Sequence, residues 1–198
     1  MTPLRVAIVA DYAEEEWPSM DLVADMLLAH LRAEHDEAIE ATLVRPQMPA
    51  RLSRLSSRQR TLDRVIARTI DYPRALKTMR GRFDIYHVVD HSYAHLVHSL
   101  PADRVLVTCH DVDAFRSVLQ PELEPRSWGY RLMARRILAG LRAAAHVACD
   151  SEATRAALVD LAAFPADRLT VIPNGADLGG AADRDGASDV EAARMLGP

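Results

Sequence analysis

His110 and Asp111 directly follow the apolar run 105–109, and Asp90 and His91 follow the run 86–89 in the same way. An imidazole so placed can donate to a phosphate or sugar oxygen, and a neighbouring carboxylate can set its tautomer. For His110 a plainer role stays open, that of a strand end with a satisfied hydrogen bond. Further apolar runs stop at polar residues in the same manner: 6–10 at Asp11, 146–149 at Asp150 and Ser151, and 169–173 at Asn174. His87, His91, His95 and His98 recur at spacings of four, four and three, which could suggest metal ligands on one helix face. His87 lies inside an apolar strand run, however, and no H-E-x-x-H carboxylate accompanies the four, so no metal is expected. After the first run comes Glu16-Trp17-Pro18-Ser19-Met20-Asp21. A helix starting there would offer backbone N–H groups and a positive dipole end to a phosphate or a sugar hydroxyl, while Ser19 could equally serve only as its N-cap.

The elements that must position these residues follow from periodicity. Runs that are apolar throughout suit strands buried on both faces of a parallel sheet, whose ligand crevice lies outside the strands' carboxyl ends. Helical spacing is expected over 20–33, with Leu22, Met26 and Leu27 as its apolar face, and over 61–80 with an interruption near Pro73. It is expected again over 93–99, over 127–145 through Tyr130, Met133, Ile137, Leu138 and Leu141, and from a Ser151 cap to about 162. Strands are expected over 38–44, 83–89, 104–109 and 169–172, and 46–57 reads as a loop. Alternating strands and helices predict an α/β fold, a parallel sheet with helices on both faces. Residues 179–188 read as a linker, and 190–196 as the start of another element.

Composition narrows the function classes. At 198 residues, 49% apolar and 26% charged, the chain can bury one domain's core. No G-x-G-x-x-G or P-loop signature follows the first strand, which argues against a nicotinamide dehydrogenase and a P-loop enzyme. Cys109 and Cys149 each end a strand and are expected to be reduced, as in a reducing compartment. With no signal-peptide core and no apolar stretch near the ~20 residues of a membrane span, a soluble, cytoplasmic protein is expected. The net charge of −4 exerts no overall pull on nucleic acid or acidic membranes. Residues 51–82 nevertheless carry ten basic residues against only Asp63 and Asp71. Such a run suits either a solvated helix face or peripheral contact with the inner face of an anionic membrane. Tyr72 is its only aromatic residue, so stacking on nucleic acid is not expected.

Four segments in order resemble the amino-terminal domain of the family-4, GT-B-fold retaining glycosyltransferases. They are Phe83-Asp84-Ile85-Tyr86-His87-Val88-Val89-Asp90-His91-Ser92, Val107-Thr108-Cys109-His110-Asp111-Val112, Ala148-Cys149-Asp150-Ser151-Glu152-Ala153-Thr154-Arg155 and Val171-Ile172-Pro173-Asn174-Gly175-Ala176-Asp177. The resemblance spans most of 5–177 and implies a Rossmann-like, doubly wound parallel sheet over 1–177. Residues 178–198 would lead towards a nucleotide-sugar-binding domain, and without that domain the chain would be inactive. It implies a nucleotide-diphosphate sugar as donor substrate, no cofactor, and a glycan or lipid-linked acceptor. His110 would be the catalytic residue near the scissile bond, with Asp90, His91 and Asp111 on the acceptor side. Ser19, Met20 and their amides would support the diphosphate, Ser151 would join the substrate-binding set, and Asn174 would shape the hinge. Where family members commonly carry a Gly-Gly pair after the first strand, this chain has Trp17-Pro18-Ser19-Met20, and the family's paired glutamates and cationic phosphate clamp belong to the second domain. Two other readings remain: a non-catalytic binding or scaffold module, and half of a GT-B epimerase or phosphorylase.

Overall fold

Six strands run parallel in the order β2-β1-β3-β4-β5-β6: β1 Leu4–Val9, β2 Ile39–Val44, β3 Ile85–Val88, β4 Val105–Cys109, β5 His146–Cys149 and β6 Leu169–Val171. The computed structural model describes residues 2–49, 51 and 57–174. The expected linker 178–198, the residues 175–177 that close the expected domain, and Arg54 of the basic run lie outside them. Among the described residues no helix is long and apolar enough to cross a membrane.

The direction of each step across the sheet decides where the helices go. The step from β1 to β2 runs one way and every later step runs the other, and parallel crossovers are right-handed. Among the described residues helix α1, Pro18–Glu34, therefore lies alone on one face, where Ala24, Val23, Leu27 and Leu28 pack on Ile8, Ala10, Ala41 and Val89. The other face carries α2 Ser57–Ile66, α3 Tyr72–Lys77, a 3-10 segment His91–Ser99, α4 Asp113–Leu119, α5 Trp128–Ala143 and α6 Glu152–Ala162. Leu76, Leu96, Phe115, Leu141 and Leu158 there meet Tyr86, Val88, Val107, Cys109 and Val147 of the sheet. Full burial of each such side chain contributes about 1.5–3 kcal/mol. The fold is thus α/β and Rossmann-like, with helices on both faces but unequally shared.

Alternation along the strands also explains polar residues inside apolar runs. His87 and Thr108 point to the α1 side and bond each other at 2.8 Å, as do His146 and Thr170 at 2.8 Å. Burial depresses the His87 imidazole to about 4. Cys109 and Cys149 are both free and stand opposite one another in the β4–β5 register, where burial pushes both thiols up, Cys149 to about 11.

Several local expectations are corrected. Pro18 occupies the first turn of α1, where a missing N–H costs nothing, so Trp17 holds the N-cap position and Ser19 lies inside the helix rather than capping it. Leu22 is 56% exposed, and the buried stripe of α1 runs through Val23, Ala24, Leu27, Leu28 and Leu31 instead. The long helix before β3 is broken by a π-helical turn, Ala67–Asp71, directly ahead of Pro73 in α3. The buried Tyr72 hydroxyl holds that turn to the sheet, lying 2.6 Å from Ala10 O and 2.9 Å from Val44 O. Helix α4 was not anticipated from periodicity. Its signal is Asp111, whose carboxylate accepts the Asp113 N–H at 2.8 Å and turns the chain into the helix. Of the basic run, Arg51 pairs with Asp71 at 2.7 Å, Arg68 bonds Ser92, and Arg80 bonds Ser99 O, which lowers the charge free to face solvent.

Candidate active site

The strand order reverses between β1 and β3, and a cleft of about 800 Å³ lies beside that point, outside the carboxyl ends of β3 and β4. Trp17, Ser19 and Met20 line it from the start of α1, Asp90, His91 and Ser92 from the end of β3, and His110 and Asp111 from the end of β4. Arg116, Arg126 and Tyr130 form its outer wall with Asp113 and Glu124.

Asp90 is buried and caps the 3-10 segment, accepting the Ser92 N–H at 2.8 Å and the Ser92 hydroxyl. The His91 ring stands between two carboxylates, its Nδ1 3.4 Å from Asp90 Oδ1 and its Nε2 3.5 Å from Asp111 Oδ1. The His110 backbone N–H also points at Nδ1, at 3.3 Å. Burial pushes the Asp90 carboxyl up, but His91 together with donors from Ser92 and Asp11 outweighs it and holds it low. The hydrogen bond from His91 holds Asp111 at about 2, so this half-exposed carboxylate is ionised at neutral pH.

His110 is only 11% exposed at its side chain and is held from both sides. Its Nε2 bonds Val89 O at 2.9 Å, and a carbonyl can only accept, so that nitrogen carries the proton. Its Nδ1 faces Asp150 Oδ2 at 3.6 Å, and its backbone O accepts from the Thr154 hydroxyl at 3.0 Å. The ring thus forms part of the cleft wall with both nitrogens directed at protein oxygens.

Behind the cleft lies Asp11, buried at the end of β1. Burial, then the charge and hydrogen bond of Asp90, push its carboxyl up to about 9. Asp11 is therefore a neutral acid at pH 7 that donates to the Asp90 carboxylate, and its Oδ1 has no partner among the described residues. The sequence marks Asp11 as the polar end of the run 6–10, but its pairing with Asp90, 79 residues away, is not signalled by any spacing.

The other expected site residues divide. Ser19 and Met20 reach the cleft, but their helix end is a poor diphosphate cradle. Pro18 has no N–H, and the amides of Met20 and Asp21 turn back to Trp17 O at 3.0 and 3.1 Å. Ser151 caps α6 through the Thr154 N–H at 3.1 Å and does not line the cleft. Asn174 is exposed after β6 and also lies apart from it. Sequence reasoning missed Trp17, Arg116, Arg126 and Tyr130 as cleft residues. Both arginines are already paired, Arg116 with Asp113 at 2.7 Å and Arg126 with Glu124 at 2.6 Å. The lining holds four carboxylates against these two guanidinium groups, so the cleft is acidic and rich in hydrogen-bond acceptors.

The family model described as Glycosyltransferase Family 4 matches residues 22–179, from the first turns of α1 to beyond β6. No curated protein matches the chain.

Proposed function

The chain belongs to glycosyltransferase family 4, and from that premise we propose that its cleft is the acceptor side of a retaining sugar-transfer site fed by a nucleotide-diphosphate sugar. The observation that carries this assignment is the acid surplus of the cleft. A diphosphate would meet net repulsion there, whereas a polyhydroxylated acceptor finds carboxylate oxygens for its hydroxyl groups. In the GT-B arrangement that the sequence resembles, the diphosphate is clamped by a second domain facing this one.

Asp111, ionised and half-exposed, accepts from acceptor hydroxyls, and His91 holds it in place. His110 lies in the wall where the donor sugar would enter, kept rigid by Val89 and Asp150. The bond from the anomeric carbon to the diphosphate breaks as the acceptor oxygen bonds on the same face, and the departing diphosphate carries off the acceptor proton. Rigid placement of the acceptor supplies much of the acceleration such a step needs. One observation favours the rival reading, a non-catalytic binding module: both nitrogens of His110 already face protein oxygens.

The two readings separate in one assay. The full-length protein is offered uridine, guanosine and adenosine diphosphate sugars with a polyol acceptor, and the product anomer is read by NMR. Donor consumption with retained configuration is the expected result. Inversion, or no consumption of any donor, overturns the proposal.

A further inference from the structure

Arg68 does not line the acidic cleft, yet it donates to Ser92, which does. It sits on the π-helical turn Ala67–Asp71, and turns of this kind inside helices occur frequently at functional sites. The turn is firmly mounted. The Tyr12 hydroxyl donates to Ala67 O at 3.3 Å, and His95 Nε2 donates to Arg68 O at 2.8 Å. The guanidinium is held as well. It lies over the Tyr93 ring, 4.1 Å from its centre, and pairs at 3.5 Å with Glu15, whose side chain is buried. Its Nη2 then meets Ser92, donating to the carbonyl at 2.9 Å and to the hydroxyl at 3.1 Å.

Direction matters in that last bond. A guanidinium only donates, and a serine hydroxyl has a single proton to give. With Arg68 donating into Ser92 Oγ, that proton goes to Asp90 Oδ2, while the Ser92 N–H serves Asp90 Oδ1 at 2.8 Å. We propose that Arg68 is a positioning residue of the cleft, acting through Ser92 by fixing the direction of its hydroxyl and so supplying Asp90 with a second donor. The consequence reaches the acid pair. With both oxygens of Asp90 served, Asp90 is the charged member, and Asp11 keeps the proton it donates. His91 faces Asp90, and the charges of Arg68 and Glu15 act on Asp11. Without Arg68 the Ser92 hydroxyl is free to turn away. One proton is then shared between the two carboxyls, and the wall that orients His91 and Asp111 loses its fixed charge.

This role rests on the acceptor-side reading of the cleft, but its test begins without turnover. In full-length protein carrying carbon-13 at the aspartate carboxyls, Asp90→Asn and Asp11→Asn assign the two resonances by NMR. At pH 7 Asp90 is expected at the ionised position and Asp11 at the protonated one. Ser92→Ala and Arg68→Met should each draw the two resonances together, and the double variant should draw them no further. Arg68→Lys keeps a cation beside Glu15 should Arg68→Met fail to fold. A lone ammonium does not reproduce the planar fork, so the same change is expected in smaller measure. Turnover should follow the same pattern, falling on the order of tenfold in Ser92→Ala or Arg68→Met and no further in the double variant. Unmoved resonances in the Arg68 variants that fold, or changes that add in the double variant, reduce Arg68 to a tether of the π-helical turn and overturn the proposal. Turnover that ignores those variants overturns it too. If the wild type consumes no donor, the acceptor-side reading falls on its own, and the resonances still decide whether Arg68 acts through Ser92.

Discussion

The two ends of the sheet handle charge in opposite ways. At the amino ends, Asp84 receives the Arg5 backbone N–H at 3.0 Å and its guanidinium at 3.2 and 3.0 Å, in a pair open to water. The hydrogen bond from Arg5 holds Asp84 at about 2. At the carboxyl ends, Asp11 and Asp90 are buried side by side with one proton between them, and Asp11 Oδ1 has no partner among the described residues. Burying a carboxylic acid costs stability that an exposed ion pair does not return. Strongly shifted groups of this kind concentrate at functional sites, which makes this rim the candidate site on grounds other than motif.

This contrast can be broken first by activity. In the full-length enzyme, His110→Ala should lower turnover on the order of 10²-fold with folding kept, whereas Asp84→Asn should leave it within about twofold. Comparable losses from both would erase the distinction between the two ends.

Stability sharpens it next, with opposite signs. The Asp11 pKa is raised in the folded state to about 9, so its contribution is fully present below the unfolded value near 4 and is lost as pH rises through about 9. Asp11→Asn removes that loss and should stabilise the protein at pH 7 by on the order of 2 kcal/mol, with no gain at pH 3. Urea unfolding of both proteins across that range reads the divergence directly. A destabilised variant at pH 7 would mean that Asp11 is ionised and paired.

Asp84 behaves in the reverse sense and more weakly. Its folded pKa is depressed to about 2, so its contribution is present above the unfolded value near 4 and fades as pH falls through about 2. Asp84→Asn should slightly lower the melting temperature at neutral pH, less so in 1 M salt, where screening weakens the exposed pair. A salt-independent deficit would show a packing role instead.

The smallest effect is expected from the basic run over 51–82. Arg51, Arg68 and Arg80 are engaged within the protein, leaving Arg74, Lys77 and Arg82 among the exposed cations. Co-sedimentation with anionic vesicles at low salt should be weak, lost at high salt, and absent with neutral vesicles. Equal partitioning to both vesicle types would remove electrostatics as its cause.

Most of the architecture could be read from residue order because buried parallel strands must be apolar and must stop at polar residues on one rim. Asp90, His91, His110 and Asp111 stood out for that reason, and the structure brings them together at one cleft. Ser151 was legible as a cap, and its substrate-binding role was inferred only from resemblance. The start of α1 was misplaced because Ser19 resembles a cap more than Trp17 does, although Pro18 carries the stronger positional signal. Helix α4 is a seven-residue element whose one buried aromatic, Phe115, gives no periodicity to detect. Asp11 is legible as the polar end of the run 6–10, but its pairing with Asp90, like the cleft positions of Trp17 and Tyr130, comes from neighbours distant in sequence, which local pattern cannot report.

Gly140 touches the backbone of the segment that begins at Asp90: a Cβ there would collide with Ala94 O. Helix α5 therefore works as a lever with its fulcrum at Gly140. Tyr130 stands ten residues away along it, a reach of ~15 Å. A methyl group that tilted the helix by about 5° at the fulcrum would swing Tyr130 by roughly 1.3 Å. Misplacement on that scale far from the chemistry can cost an enzyme about 10²-fold. The placement of Tyr130 in the cleft wall is thus set by a hydrogen atom nearly three turns away along the same helix.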